Sequence, residues 1–178
     1  MIISKNIFDY CEKNKFNLKQ ACESDVDEIL QLYIDRTLWF KQKQINQWQK
    51  YLEHHDKNEF LRAIENNELF IICKNKEIIA CFEINKESRL WNETVDDSYY
   101  IYKIVTKVGT KNLGKIIFDI CERLAKENNI RYLKIDCLTR NIKLNEIYSS
   151  YGFELVKTDT KDYYTFNLRK KDLKKIKI

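Results

Sequence analysis

Apolar positions along this chain switch between two spacings, and the switches mark out its elements. Runs rich in β-branched and aromatic residues read as strands at Phe16 to Ala21, Leu69 to Cys73, Ile78 to Ile84, Tyr99 to Val105, Leu133 to Cys137, Phe153 to Thr158 and Tyr163 to Leu168. Between them the spacing becomes three-and-four. Val26, Ile29, Leu30, Tyr33, Thr37 and Leu38 follow Ser24-Asp25-Val26-Asp27, which resembles a capping box. Phe60, Leu61 and Ile64 mark a short helix ending near Asn66-Asn67, and Asn75-Lys76 suits a hairpin turn. The clearest helix buries Leu113, Ile116, Ile117, Ile120, Cys121, Leu124 and Ala125 against a charged face of Lys115, Asp119, Glu122, Arg123 and Lys126. Leu144, Ile147, Tyr148 and Tyr151 form the face of a last helix. Phe40 to Asn58 has weak periodicity and reads as irregular or partly helical, and Asn92 to Asp97 as a polar loop. The order is β-α-α-β-β-β-α-β-α-β-β, an α/β class with a mixed sheet. It fits one domain over residues 1–178, with 1–15 as an N-terminal extension and 169–178 as a basic tail.

Composition sharpens this picture at a few points. Proline is absent and there are three glycines, all in one stretch: Gly109 and Gly114 before the long helix, and Gly152 where a left-handed cap would end the last one. The net charge of +5 is a property of the C-terminus: the last ten residues hold six of the 32 basic side chains and one of the 27 acidic ones, leaving 26 of each elsewhere. A terminal charge run reads as a solvated end, so no nucleic-acid partner is expected. The six cysteines form no C-x-x-C pair and have no histidine at zinc-finger spacing, so no metal is expected. No apolar run approaches membrane-spanning length and no signal-peptide core opens the chain, which points to the cytoplasm, free thiols and no membrane partner.

The chemistry concentrates between Tyr99 and Phe153. A strand leading through a glycine-bearing loop into a helix leaves unpaired N–H groups at the helix start, a ready site for phosphates. A tyrosine nearby can donate a proton, and together these suggest group transfer from a phosphorylated carrier such as coenzyme A. Leu133-Lys134-Ile135-Asp136-Cys137, then Asn141, Leu144-Asn145 and Tyr148-Ser149-Ser150-Tyr151-Gly152-Phe153-Glu154, closely resemble the fifth strand and following helix of GNAT-family N-acetyltransferases. The likeness covers Phe16 to Leu168, and Gln47-Trp48 and Trp91 resemble a bacterial subgroup of such enzymes. It implies a central, mostly antiparallel sheet flanked by helices, acetyl-CoA as co-substrate, and an amine acceptor that is a small molecule or a peptide. It further implies a monomer or homodimer. Contacts to the cofactor would come from Val105, Thr106, Gly109, Thr110, Lys111, Asn112, Leu113, Gly114, Lys115 and Asn141. In the family, the tyrosine four residues before the glycine, here Tyr148, protonates the departing thiolate. A phenol with a reference pKa of about 10 matches a thiolate of comparable basicity.

The family's pyrophosphate loop usually reads Q/R-x-x-G-x-G/A, and here Gly109-Thr110-Lys111-Asn112-Leu113-Gly114 shares its final glycine. Asn112 tolerates a left-handed backbone and so keeps the turn available, while Lys111 and Lys115 supply charge. The bland reading of the loop is an ordinary strand-to-helix turn, that of Tyr148 is core packing, and that of Asn141 is a helix cap. The altered loop also motivates an alternative function, a non-catalytic GNAT-fold domain for ligand sensing or protein interaction. Candidates for the base that deprotonates the amine, directly or through a water chain, are Glu83, Tyr100, Tyr102 and the acidic group Glu93, Asp96 and Asp97. His54-His55 reads as a polar loop pair and Cys137 as packing. Trp39, Phe40, Ile45 and Trp48 line an acceptor site, or belong to core that covers the sheet or to a dimer contact.

Overall fold

The computed structural model of the chain describes residues 3–88, 90–91 and 97–174. The helices are α1 (Lys5–Lys13), α2 (Val26–Gln42), α3 (Lys50–Glu53), α4 (Asn58–Glu65), α5 (Leu113–Glu127) and α6 (Ile142–Ser150). The strands are β1 (Asn17–Gln20), β2 (Leu69–Lys74), β3 (Glu77–Asn85), β4 (Ser98–Thr106), β5 (Tyr132–Leu138), β6 (Glu154–Lys161) and β7 (Tyr164–Asp172). The seven strands follow the order β1-β2-β3-β4-β5-β7-β6. β4 and β5 run parallel, and β1–β2, β2–β3, β5–β7 and β6–β7 are antiparallel. The Asn75-Lys76 turn has both residues at positive φ, 52° and 69°, as a two-residue hairpin of matching twist requires. The acidic residues Glu93 and Asp96 lie outside the described residues.

The chain divides into two compact units, Met1–Glu83 with Lys103–Ile116, and Ile84–Tyr102 with Ile117–Ile178. In the first, α2, α3 and α4 bury Ile29, Leu30, Tyr33, Tyr51 and Phe60 with Leu69 and Ile71 of β2 and Cys81 of β3. The Tyr33 ring anchors this cluster, with centroids 5.0 Å from Trp48, 4.8 Å from Tyr51 and 5.3 Å from Phe60. Aromatic pairs at such distances contribute roughly 0.5–1.5 kcal/mol each beyond their buried area. Trp48 is partly buried and packs against this cluster. Leu38, placed by its spacing on the buried face of α2, is exposed instead, because the buried stripe follows Tyr33 and Thr37. The capping box lies two residues earlier than expected: the Asp25 carboxylate accepts from Cys22 N at 2.9 Å, opening a 3-10 turn at Glu23–Asp25 before α2.

The stretch read as an N-terminal extension carries the helix α1. Ser4 caps it, accepting from Ile7 N at 3.3 Å, and Ile7 and Cys11, one turn apart, are buried.

In the second unit, Phe118 of α5 packs its ring against Tyr148, Tyr151 and Phe153, at 5.8, 5.2 and 5.1 Å. Trp91, Tyr100 and Leu168 form a separate cluster with Leu90, Tyr102 and Phe166. The basic run read as a tail from 169 is strand as far as Asp172. Arg169 pairs in register with Ile135 and Leu155, and Lys171 Nζ bonds Glu122 Oε1 at 2.5 Å and Tyr151 O at 2.6 Å. Long basic side chains lay their stems along a sheet while their charges find partners, which a count of charges along the sequence does not register.

Candidate functional site

In the first unit, β4 leaves the extended conformation at Lys103, whose φ is 49°, a left-handed lysine inside a strand. Its carbonyl accepts from the Tyr33 hydroxyl. Val105 is then buried and Thr106 half-buried where the strand ends. Arg36 of α2 grips that end. Its Nε and Nη2 donate to Thr106 O at 3.0 and 2.5 Å, and Nη2 donates also to Thr106 Oγ1 at 2.8 Å and Lys107 O at 3.2 Å. The guanidinium lies 5.2 Å from the Trp39 ring and 6.0 Å from the Phe40 ring. Burial pulls its pKa below the ordinary arginine value, which still leaves it charged. A planar fork can satisfy several carbonyl lone pairs at once, and that fixes where the loop begins.

The loop itself turns twice through the left-handed region, at Gly109 (φ 85°) and Asn112 (φ 64°). No heavy atom lies within 4 Å of where a Cβ on Gly109 would stand. Thr110 folds back, donating to Lys107 O through its N at 3.3 Å and its Oγ1 at 2.5 Å. Asn112 O accepts from Ile116 N at 3.2 Å, and buried Leu113 seats the first turn of α5. The N–H groups of Leu113, Gly114 and Lys115 therefore point out of the helix start, with the positive end of its dipole and the exposed Lys111 and Lys115 around them. Val105 and Thr106 thus lie at the end of β4, Gly109 to Asn112 in the loop and Leu113 to Lys115 at the start of α5, along one strand-loop-helix connection.

In the second unit, Asn141 caps α6, its Oδ1 accepting from Leu144 N at 3.1 Å, so the capping reading describes that side chain. Tyr148, on the buried face of α6, stands edge-on to Phe118 at 88°. Burial, then the neighbouring Cys137 and Asp136, raise its hydroxyl above the ordinary tyrosine value and keep it protonated. The helix ends in a Schellman motif: Phe153 N donates to Tyr148 O at 3.0 Å and Gly152 N to Ser149 O at 2.9 Å, with Gly152 at φ 87°.

The residue that fixes this helix is one the sequence reading passed over. Asn145 is buried, whereas Ile147 is exposed. Its Nδ2 donates to Leu138 O at 3.0 Å and Asn141 O at 2.9 Å, and its Oδ1 accepts from Asn167 Nδ2 at 2.7 Å, Arg169 Nε at 3.1 Å and the Cys137 thiol at 3.1 Å. Arg169 also reaches Ser149 Oγ at 2.8 Å and Phe153 O at 3.1 Å. The signal was present in the spacing, since 141, 145 and 148 share one face. Burial pushes the Cys137 thiol up to about 11, which removes it as a nucleophile.

The other candidates separate clearly. Glu83 is paired with Lys103 at 2.7 Å, and Lys103 also meets Glu59 at 3.2 Å, so Glu83 belongs to an ion-pair chain. Tyr102 shares a 2.6 Å hydrogen bond with Ser88, and Tyr100 packs on Trp91 at 6.3 Å. Asp97 is described through its carbonyl, which accepts from Arg131 N and Tyr132 N at 2.9 Å each. His54 and His55 are exposed. Among the described residues no group of three or more His, Cys, Asp or Glu side chains could hold a metal ion. The ladder between β4 and β5 comprises three pairs, Ser98↔Tyr132, Tyr99↔Leu133 and Tyr100↔Lys134.

Residues 18–173 match the acetyltransferase (GNAT) domain family. A GNAT-family acetyltransferase from Listeria monocytogenes superposes with a TM-score of 0.73 at 25% identity, covering 88% of this chain and 94% of that one. The PaiA N-acetyltransferase of Thermoplasma acidophilum, in complex with coenzyme A, shares the fold at 14% identity and a TM-score of 0.67, over 88% and 98% of the two chains. So does yncA of Salmonella typhimurium with its cofactor acetyl-CoA, at 10% identity and 0.64, over 93% and 98%. None of the curated proteins matches the sequence. With the family profile spanning nearly the whole chain, and the strand order and the strand-loop-helix turn in agreement with it, this protein belongs to the GNAT acetyltransferase family.

Proposed function

We propose that this protein transfers an acetyl group from acetyl-CoA to a primary amine by direct attack, the acceptor being a small molecule or a peptide. The observation that carries the reading is the turn from Gly109 to Lys115. Asn112 holds the left-handed backbone for which relatives use glycine, so the altered sequence still presents a helix start suited to a pyrophosphate. The residues present fit the group: the N–H groups of Leu113, Gly114 and Lys115 would meet its phosphates, with Lys111 and Lys115 adding charge. Val105 and Thr106 would border the pantetheine arm, and Arg36 is a positioning residue that holds the turn in place.

The co-substrate supplies an activated thioester. Tyr148 would hold a proton for the leaving sulfur; it is protonated at neutral pH, burial makes it a weaker acid than a free phenol, and its ring is fixed by Phe118 and by the Asn145 and Arg169 bonds beneath α6. Asn141 supports this placement as the cap of the same helix. No described helix is long and apolar enough to cross a membrane, and the reading places the reaction in the cytoplasm without metal or nucleic acid.

Thermal unfolding with and without acetyl-CoA tests this reading, because a ligand that binds the folded state raises its stability with the logarithm of concentration over Kd. A rise at millimolar acetyl-CoA together with amine-dependent thiol release supports it. A rise without release from any amine favours the ligand-sensing alternative.

A further inference from the structure

Asp136 has no place in the roles above, yet its setting is unusual. It lies on β5 two residues past Lys134, where pairing with β4 ends. Its neighbour Cys137 bonds Asn145 of α6, so Asp136 projects from the other face of the sheet. Directly across the β7 ladder stands Leu168, which belongs to the Trp91, Tyr100 and Leu168 cluster. In these surroundings Asp136 Oδ1 is buried with no hydrogen-bond partner, and so is Trp91 Nε1. Burial alone pushes the Asp136 carboxyl up to about 6. An unsatisfied buried carboxylate is costly, and groups of this kind concentrate where a ligand completes them.

The titratable and charged groups around it are Lys134 and Cys137 on β5, Tyr100 and Tyr102 on β4, Arg169 on β7 and Tyr148 on α6. None of them bonds Oδ1. Lys134 is buried with its Nζ 4.7 Å from the Trp91 ring and 5.3 Å from the Tyr100 ring, so one cation already occupies this aromatic corner.

We propose that Asp136 receives the ammonium of the incoming acceptor and takes its proton, on the sheet face opposite the helix that carries Tyr148. This deepens, and rests on, the acetyl-transfer reading. The amine enters as an ammonium and gives one proton to the Asp136 carboxylate. Its nitrogen then attacks the thioester carbonyl carbon: the C–N bond forms, the C–S bond breaks, and the electron pair leaves with sulfur. Sulfur takes the Tyr148 proton, the acetylated nitrogen loses its remaining surplus proton to restore Tyr148, and Asp136 releases its own to water. The apolar cluster together with the resident charge of Lys134 selects an acceptor with a single ammonium on an apolar stem over a polycation.

Carbon-detected NMR titration of the aspartate carboxyl groups, with the Asp136 signal assigned by its loss in Asp136→Asn, reads this directly. Coenzyme A is present, and n-butylammonium or 1,4-butanediammonium is added at tens of millimolar. Asp136 is expected to titrate near 6. Butylammonium should lower that midpoint by about one pK unit, the effect of a nearby opposite charge, and the diammonium should lower it less. A midpoint in the ordinary carboxylate range, or one that butylammonium leaves unmoved, overturns the assignment. An equal or larger response to the diammonium overturns the selectivity. Coenzyme A binding is followed in the same samples through the Lys111 to Lys115 amides, so loss of the transferase reading shows separately from failure at Asp136.

Discussion

Asn145 Oδ1 accepts from Arg169 Nε at 3.1 Å, and through this bond the helix that presents Tyr148 is tied to the last strand. Both residues are buried, and the oxygen is shared with Asn167. Replacing Asn145 with Ala removes the one oxygen that accepts from Arg169 Nε, Asn167 Nδ2 and the Cys137 thiol, so Asn145→Ala should cost about 3 kcal/mol of stability. The urea unfolding midpoint measures this.

Asn112 carries its loop at a φ of 64°, where a side chain is strained unless it is glycine or asparagine. Asn112→Gly should leave stability and coenzyme A affinity nearly unchanged. Asn112→Val should lose about 1–2 kcal/mol and weaken coenzyme A binding with it. Thermal shift at graded coenzyme A concentrations separates the two.

The strand pattern, the α5 stripe and the left-handed Gly152 and Asn112 were legible in the chain, because each depends on spacing or on backbone chemistry local to a few residues. The placement of Arg36 and Asp136 was not, and that of Asn145 lay only in a spacing shared with 141 and 148. Asn145 looks like any polar residue until α6 is rotated about its axis, and Arg36 matters through carbonyls 70 positions away. Asp136 stands out only because pairing with β4 stops short of it. The basic run after Leu168 misled for the reverse reason: its charges find Glu122 and backbone carbonyls brought near by folding, so it reads as tail in sequence and as strand in space.

Arg36 donates to three acceptors at the end of β4, a grip that a single ammonium cannot reproduce. Arg36→Lys should therefore behave nearly as Arg36→Ala, each weakening acetyl-CoA binding about tenfold with smaller effects on turnover once the site is saturated. A KM against kcat comparison checks this.

Asp136 also leaves a mark on stability. Its folded pKa of about 6 lies above the ordinary 3.8, so its contribution is fully present below the unfolded value and is lost as pH rises through 6. At pH 7 the penalty is on the order of 2–3 kcal/mol. Asp136→Asn should be more stable than the natural protein by that amount at pH 7, and the difference should vanish below the unfolded pKa. Chemical denaturation at the two pH values shows it.

The central claim, acetyl transfer with Tyr148 as proton donor, is tested most directly by thiol release from acetyl-CoA across a panel of primary amines, comparing the natural protein with Tyr148→Phe. The account predicts amine-dependent release that falls by about 100-fold or more in the variant, the range expected for loss of a general acid, while acetyl-CoA affinity holds. An unchanged rate in Tyr148→Phe, or no binding of acetyl-CoA at millimolar concentration, would contradict it.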